Sequence, residues 1–132
     1  MDKRFRRSWS VSGTNGPTLW DARVKAACEE LEKSKLECRL MIDFSHANAA
    51  KQYKRQMDVA RDVGGQVAGG SRCIMGAMVE SHLVEGRQEL VPGKPLAFGQ
   101  SITDPCIGWE DSVALLDTLA AAVKTRRKKG KR

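Results

Sequence analysis

The chain has 132 residues, 41% of them hydrophobic, and a formal net charge of +7. This length suits a single domain with a modest core, and no stretch contains the roughly 18 consecutive apolar residues that a membrane helix requires. The basic start of the chain is not followed by the apolar segment of a secretory signal, so we expect a cytoplasmic protein without a membrane partner.

The positive charge is concentrated at the two ends of the chain. Residues 124–132 contain seven Lys or Arg and no acid, and residues 1–7 carry a net charge of +3, which leaves −3 for residues 8–123. A terminal basic run is typically a solvated, disordered end, and this one lacks the interleaved aromatic residues that stack on bases. We therefore do not expect nucleic acid to be a partner.

Helical and strand patterns alternate through most of the chain. Residues 8–17 are rich in turn-forming types, which indicates a loop. Hydrophobic spacing and end signals then predict, in chain order, a helix at 18–34, a strand at 38–42, a helix at about 49–63, a strand at 73–79, a long loop at 81–108 and a helix at 109–126. Apolar residues within the long loop indicate that it packs against the rest of the chain. This order is typical of a parallel α/β repeat.

The four cysteines, at positions 28, 38, 73 and 106, are widely spaced and form no Cys-x-x-Cys motif. In a cytosolic α/β chain such a distribution favours separate reduced thiols over disulfides or metal ligation. We therefore predict that the cysteines are unpaired.

Polar residues follow the predicted strands, where parallel α/β folds keep their functional sites. His46 comes after the first strand, Glu80 after the second, and Asp104 lies in the long loop before the last helix. One imidazole and two carboxylates can converge on a divalent cation, and this mixture of donors favours a transition metal such as Mn, Fe, Co or Zn.

Each of these residues also has a purely structural interpretation. His46 could be a hydrogen-bonded histidine, and Asp104, which precedes Pro105, could simply form a turn. His82 is a fourth candidate ligand, although an exposed loop histidine is the simpler interpretation. Spacing alone leaves these alternatives open, because no local ligand motif is present.

Longer runs of sequence carry a resemblance to a known family. The runs are MIDFSHAN at 41–48, KQ at 51–52, KRQMDV at 54–59, GAMVESHLVEG at 76–86 and SITDPCIGWED at 101–111. They resemble the C-terminal part of type I 3-deoxy-D-arabino-heptulosonate 7-phosphate (DAHP) synthase, and the resemblance covers residues 17–127.

The resemblance implies a partial (β/α)8 TIM barrel made of the last two to three βα units. It implies 3-deoxy-7-phosphoheptulonate synthase activity, in which phosphoenolpyruvate condenses with erythrose 4-phosphate and phosphate is released, as the first step of aromatic amino-acid biosynthesis. His46, Glu80 and Asp104 match three metal ligands of that family. His46 is also implied to be catalytic and to lie near the phosphoenolpyruvate site.

The resemblance also indicates what this chain does not contain. The family's fourth metal ligand is a cysteine in the N-terminal half, and none of the four cysteines here occupies its motif. Ser12 stands where the family has a phosphate-binding arginine. We therefore divide the chain into a divergent, disordered segment at 1–16, the barrel part at 17–123 and a basic tail at 124–132.

We expect a truncated enzyme that self-associates or needs a complementing half, because two or three barrel strands leave open edges and an uncovered face. The alternatives are a non-catalytic remnant and a basic interaction module. The identity of the metal and the class of feedback inhibitor are not determined by these residues.

Overall fold

The computed structural model describes residues 20–46, 49 and 52–130. Its elements, in chain order, are helix α1 (Trp20–Lys33), strand β1 (Leu40–Asp43), a 3-10 turn (Tyr53–Arg55), helix α2 (Gln56–Gly69), strand β2 (Ile74–Met78), strand β3 (Val84–Arg87), strand β4 (Gln100–Ser101) and helix α3 (Trp109–Lys129). The prediction of a mixed α/β fold is confirmed. The loop predicted at 8–17 and the divergent segment predicted at 1–16 lie outside the described residues.

Strands β1 and β2 form a parallel pair that organises the rest of the structure. Their register joins Leu40 to Ile74 and Asp43 to Met78, with an irregularity after Leu40. Side chains of a strand alternate between the two faces of a sheet, and here one face is buried while Met41 and Met75 on the other are 37% and 62% exposed. The sheet therefore has one face packed into the core and one exposed apolar face.

Helices cover the buried face. The core cluster combines side chains from the sheet, from all three helices and from the residues that follow β1 and precede α3, namely Val24, Cys28, Leu31, Leu40, Ile42, Phe44, Val59, Ala60, Val63, Val67, Ile74, Ile107, Leu115 and Ala122. Helix α2 begins later and ends later than the sequence predicted. It ends at Gly69 because Gly70 adopts a left-handed conformation with φ of 118°, which glycine reaches without steric cost.

The segment predicted as a long loop contains regular structure. Strands β3 and β4 pair in parallel, and the Val84 N–H donates to the Gly99 carbonyl at 2.9 Å. The segment then returns to the end of β2, where the Ile107 N–H donates to the Glu80 carbonyl at 3.0 Å and the His82 N–H donates to the Ile107 carbonyl at 2.9 Å. The prediction that this segment packs against the rest of the chain is confirmed. The prediction that it is a loop without regular structure is wrong.

The prediction of a disordered basic end is wrong for residues 127–129, which continue helix α3 beyond its predicted end at residue 126. Acidic residues in the first turn and basic residues in the last turn both suit the helix dipole. Arg126 is also anchored, since its guanidinium donates to the Ser71 carbonyl at 2.9 Å. Among the described residues, no helix is both long and apolar enough to cross a membrane.

The prediction of unpaired cysteines is also wrong in part. Cys28 of α1 and Cys38, which precedes β1, form a disulfide, while Cys73 and Cys106 are free. The turn between α1 and β1 brings the two Cα atoms to 5.0 Å, within the range that a disulfide spans. The spacing of the cysteines in the sequence did not reveal this pairing, because the two residues meet only when the folded chain turns back between α1 and β1.

Candidate metal centre

The structure brings together the three predicted ligands His46, Glu80 and Asp104. One potential ligand atom from each of them lies within 4.8 Å of the other two. His46 follows the end of β1 and Glu80 follows the end of β2. Asp104 reaches the same place because the backbone bond between Ile107 and Glu80 lays its segment beside the end of β2.

His46 is held by Asp43, the last residue of β1. The His46 Nδ1 atom lies 2.8 Å from Asp43 Oδ2, and the other carboxylate oxygen of Asp43 accepts the Ser45 N–H at 2.8 Å. A neutral imidazole that donates its Nδ1 proton to a carboxylate keeps a lone pair on Nε2, which is the usual arrangement of a histidine ligand to a metal. Nε2 lies 3.7 Å from Glu80 Oε1.

The same contacts affect protonation. The hydrogen bond and charge of Asp43, with smaller contributions from Glu80 and Asp104, raise the pKa of His46 above 6.5. In the metal-free chain these carboxylates therefore favour the imidazolium. A cation bound at Nε2 would compete with that proton.

His46 also has an unusual backbone. Its φ of 47° lies in the left-handed region, which costs a residue with a side chain about 1–2 kcal/mol. Non-glycine residues in sparsely populated conformations cluster at functional sites, where the surrounding structure holds them. The tight turn after β1 is what directs the imidazole toward Glu80.

Glu80 is positioned through its own backbone. Gln56, at the start of α2 and fully buried, accepts the Glu80 N–H at 2.9 Å and donates to the Glu80 carbonyl at 3.0 Å. The Ser45 hydroxyl donates to Glu80 Oε2 at 2.6 Å. These bonds leave Oε1 as the oxygen directed toward His46.

Asp104, like His46, is exposed. The Cys106 thiol donates to its backbone carbonyl at 3.4 Å, and burial raises the pKa of that thiol. The three candidate ligands, together with Ser45, Ala49, Tyr53 and Pro105, line a cleft of about 400 Å³.

His82, the fourth candidate, is not a member of this group. It is exposed, and its Nδ1 accepts the Leu83 N–H at 2.8 Å, as the simpler loop interpretation predicts. Conversely, sequence reasoning gave no role to Gln56, Asp43 or Ser45. A glutamine at an inward position of an otherwise apolar helix face was the available signal for Gln56. Asn48, which also follows the first predicted strand, lies outside the described residues.

A second cleft lies at the amino-terminal ends of β1 and β2. It has a volume of about 730 Å³ and a strongly basic lining that includes Arg39, Arg72, Arg126, Arg127 and Lys129. The two ends of the sheet therefore differ in charge, with acidic groups and a histidine at one end and cations at the other.

A mixed α/β fold with imidazole and carboxylate donors at the carboxyl ends of parallel strands is typical of metal-dependent α/β enzymes. The comparison with known families narrows this class. The chain belongs to the DAHP synthetase I family, whose sequence profile matches residues 9–117. The resemblance found in the sequence is thereby confirmed.

Related proteins agree with this assignment. A phospho-2-dehydro-3-deoxyheptonate aldolase of Haemophilus influenzae is 57% identical over 116 residues, which is 88% of this chain and 32% of the relative. The Phe-sensitive enzyme of that name from Escherichia coli K12 is 57% identical over 117 residues, covering 89% of this chain and 33% of the relative. The chain thus spans about a third of the length of these curated relatives.

A solved structure gives the same result at the level of the fold. The phospho-2-dehydro-3-deoxyheptonate aldolase from Francisella tularensis SCHU S4 superposes with a TM-score of 0.79 at 38% identity. The match covers 87% of this chain and 33% of the solved chain. The architecture described here is therefore similar to about one third of that enzyme.

Proposed function

We propose that this chain carries part of the catalytic centre of a DAHP synthase. The reaction would condense phosphoenolpyruvate with erythrose 4-phosphate and release phosphate, at the start of aromatic amino-acid biosynthesis. Because the chain spans only a third of its relatives, we propose that turnover requires a complementing segment.

The observation that carries this proposal is the convergence of His46, Glu80 and Asp104. Their ligand atoms lie within 4.8 Å of one another although the residues are far apart along the chain. Two independent positioning devices support a functional role, namely the Asp43 carboxylate behind His46 and the Gln56 amide on the Glu80 backbone. Exposed acidic residues without a function do not require such support.

The donor set fits a divalent metal. His46 would offer Nε2, and Glu80 and Asp104 would each offer a carboxylate oxygen, a mixture that suits Mn, Fe, Co or Zn. A metal held there supplies Lewis acidity, which polarises a carbonyl oxygen of a substrate.

The residues of the chain prepare this site. Asp43 Oδ2 lies 2.8 Å from His46 Nδ1, so it would hold a proton on that nitrogen while Nε2 binds the ion. The hydroxyl of Ser45 satisfies one oxygen of Glu80, and Gln56 prevents its backbone from shifting. We propose that the cleft beside His46 receives phosphoenolpyruvate, so that His46 contacts both substrate and metal.

The exposed sheet face supports the proposed partial (β/α)8 barrel. In such a barrel the inner face of the sheet is packed by side chains from the other strands, whereas Met41 and Met75 here are 37% and 62% exposed. Ile107, which pairs with Glu80 and Ser81, would begin the next strand beside β2. We propose that a complementing half or a second copy of the chain covers this face.

Phosphate release from phosphoenolpyruvate and erythrose 4-phosphate tests the catalytic proposal. The full chain is assayed with and without Mn²⁺, alone and mixed with a separately expressed segment comprising the rest of the Haemophilus influenzae relative. We expect metal-dependent release in the mixture, abolished by His46→Ala and retained by His82→Ala, the matched histidine outside the site. Metal binding without turnover in the mixture would instead favour the non-catalytic alternative.

Sedimentation tests the proposed covering of the sheet face. We expect the parent chain to self-associate, and Met75→Lys to shift it toward the monomer because a charge on an apolar contact opposes burial. Leu90→Lys is the matched control, since Leu90 is 65% exposed and lies in the segment beyond β3. A monomeric parent chain with a sharp thermal transition would contradict this part of the proposal.

A further inference from the structure

Three cysteine sulfurs meet at the amino-terminal end of the β1–β2 sheet, opposite to His46, Glu80 and Asp104. Cys28 lies on α1, Cys38 precedes β1 and Cys73 precedes β2. The Sγ atoms of all three lie within 4.8 Å of one another. They form a second cluster of potential ligands that the proposed catalytic function does not use.

The fold holds these sulfurs in place from three directions. Cys28 is part of the buried core, and Cys38 and Cys73 pack against it. The Leu40 N–H donates to the Cys73 carbonyl at 2.8 Å, which fixes the approach to β2 beside the approach to β1. The proximity of Cys73 to the disulfide is therefore a consequence of strand pairing.

We propose that the reduced chain binds one Zn²⁺ through the thiolates of Cys28, Cys38 and Cys73. Thiolates are the soft ligands that select Zn²⁺ and similar ions over Mg²⁺ or Mn²⁺. The donor set is therefore chemically distinct from the imidazole and carboxylates at the other end of the sheet.

The distances suit such a site. A Zn–S bond of about 2.3 Å places tetrahedral sulfur ligands about 3.8 Å apart, and the three sulfurs already lie within 4.8 Å. Cys28 and Cys38 must separate from their bonded position, which the incompletely buried Cys38 can do in the turn before β1. Three protein ligands leave the fourth position of the ion open to water.

The disulfide and the ion exclude each other. A phosphine reductant cleaves the Cys28–Cys38 bond, with the phosphine oxidised to its oxide and water supplying the oxygen and two protons. Zn²⁺ then displaces one proton from each of the three thiols, which leaves a net charge of −1 on the ion and its sulfurs. In the oxidised chain two of the three ligands are consumed, so binding is lost.

Cd²⁺ titration of the phosphine-reduced full chain tests the site, because Cd²⁺ bound by thiolates gains an ultraviolet charge-transfer absorption. The His46→Ala background removes the candidate centre at the other end of the sheet. We expect saturation at one ion per chain. In Cys73→Ser the affinity should fall by about 100-fold or more, since even loss of an outer partner of a metal ligand costs about 10- to 100-fold.

Cys106→Ser is the matched control, because Cys106 is free and buried near Asp104, away from the cluster. It should leave the titration unchanged. A parent chain without the absorption, or a Cys73→Ser variant that retains it at full affinity, would overturn the proposal.

Alkylation of the unsubstituted chain provides a test that does not depend on a variant's folding. After reduction, Zn²⁺ should slow iodoacetamide labelling of Cys28, Cys38 and Cys73, located by mass spectrometry of peptides, and leave labelling of Cys106 unaffected. Equal labelling of the three cysteines with and without Zn²⁺ would also overturn the site.

Discussion

The two ends of the β1–β2 sheet carry opposite kinds of chemistry. At the carboxyl ends, His46, Glu80 and Asp104 present nitrogen and oxygen donors next to a cleft of about 400 Å³. At the amino ends, three sulfurs lie close together, and a basic cleft lies at the same end. Parallel pairing creates both groups, because it aligns all strand starts at one edge and all strand ends at the other.

The difference lies in how each group is held. Hydrogen bonds with Asp43, Ser45 and Gln56 position the donors at the carboxyl ends and leave ligand atoms available. A covalent bond between Cys28 and Cys38 occupies the donors at the amino ends. One end is thus prepared for an ion in the structure as it stands, whereas the other requires reduction first.

The largest expected effect is on Mn²⁺ affinity, which should depend on His46 at the carboxyl ends of the strands and not on the cysteines at the amino ends. With the disulfide intact, His46→Ala should weaken Mn²⁺ binding by about 100-fold or more, because it removes a ligand whose outer partner alone is worth about 10- to 100-fold. Cys73→Ser should leave Mn²⁺ binding unchanged. Isothermal titration calorimetry measures both, and equal losses in the two variants would contradict the separation.

The next effect concerns the support of Glu80. Gln56→Met should lower the free energy of unfolding by about 2–3 kcal/mol, because it leaves the N–H and one acceptor site of Glu80 without their buried partner. Urea denaturation measures this loss. Gln66→Met on the same helix is the control, since Gln66 donates within its own helix, to Asp62 Oδ1 at 2.7 Å, and its Oε1 lacks a partner among the described residues. A similar loss in both variants would refute the role of Gln56.

A smaller effect arises from the backbone of His46. His46→Gly should be more stable than His46→Ala by about 1 kcal/mol, because glycine adopts a positive φ without strain whereas alanine does not. Both variants lose the contact with Asp43, so the difference between their free energies of unfolding measures the cost of the backbone conformation. Greater stability of the alanine variant in urea denaturation would show that the turn is not strained.

The smallest effect is on the pKa of the His46 imidazole. The His46 imidazole of the metal-free chain should titrate above 6.5, and Asp43→Asn should lower this pKa because Asp43 is its largest cause. The stability linked to this pKa shift is fully present below pH 6.5 and disappears as the pH rises through the raised pKa. NMR titration of the ring protons measures the shift, and an unchanged pKa in Asp43→Asn would contradict it.

Much of the candidate centre was predictable because its residues lie next to strand ends that the local sequence pattern indicates. His46 and Glu80 each follow an apolar run that ends in polar residues, and such runs indicate buried strands and their ends. Asp104 was named from its place in the long loop before the last helix, and the resemblance then implied that all three residues are metal ligands. Gln56 could not be assigned in this way, because its function is to bond the backbone of a residue 24 positions away.

The failures of prediction have a common physical cause. The segment 81–108 reads as a loop because its strands β3 and β4 are short, and their pairing depends on contacts that hydrophobic spacing does not encode. Residues 127–129 were expected to belong to a disordered tail, yet they extend a helix whose earlier turns bury Leu115 and Ala122. The Cys28–Cys38 pairing likewise depends on the return of the chain between α1 and β1.

The Glu80 carbonyl oxygen accepts two hydrogen bonds, one from Gln56 Nε2 and one from the Ile107 N–H, each at 3.0 Å. Ile107 is fully buried, so its amide hydrogen can exchange with deuterated solvent only when this junction opens. The exchange rate of that single hydrogen therefore reports how often the segment carrying Asp104 detaches from the sheet, and it does so without any substitution or bound ion.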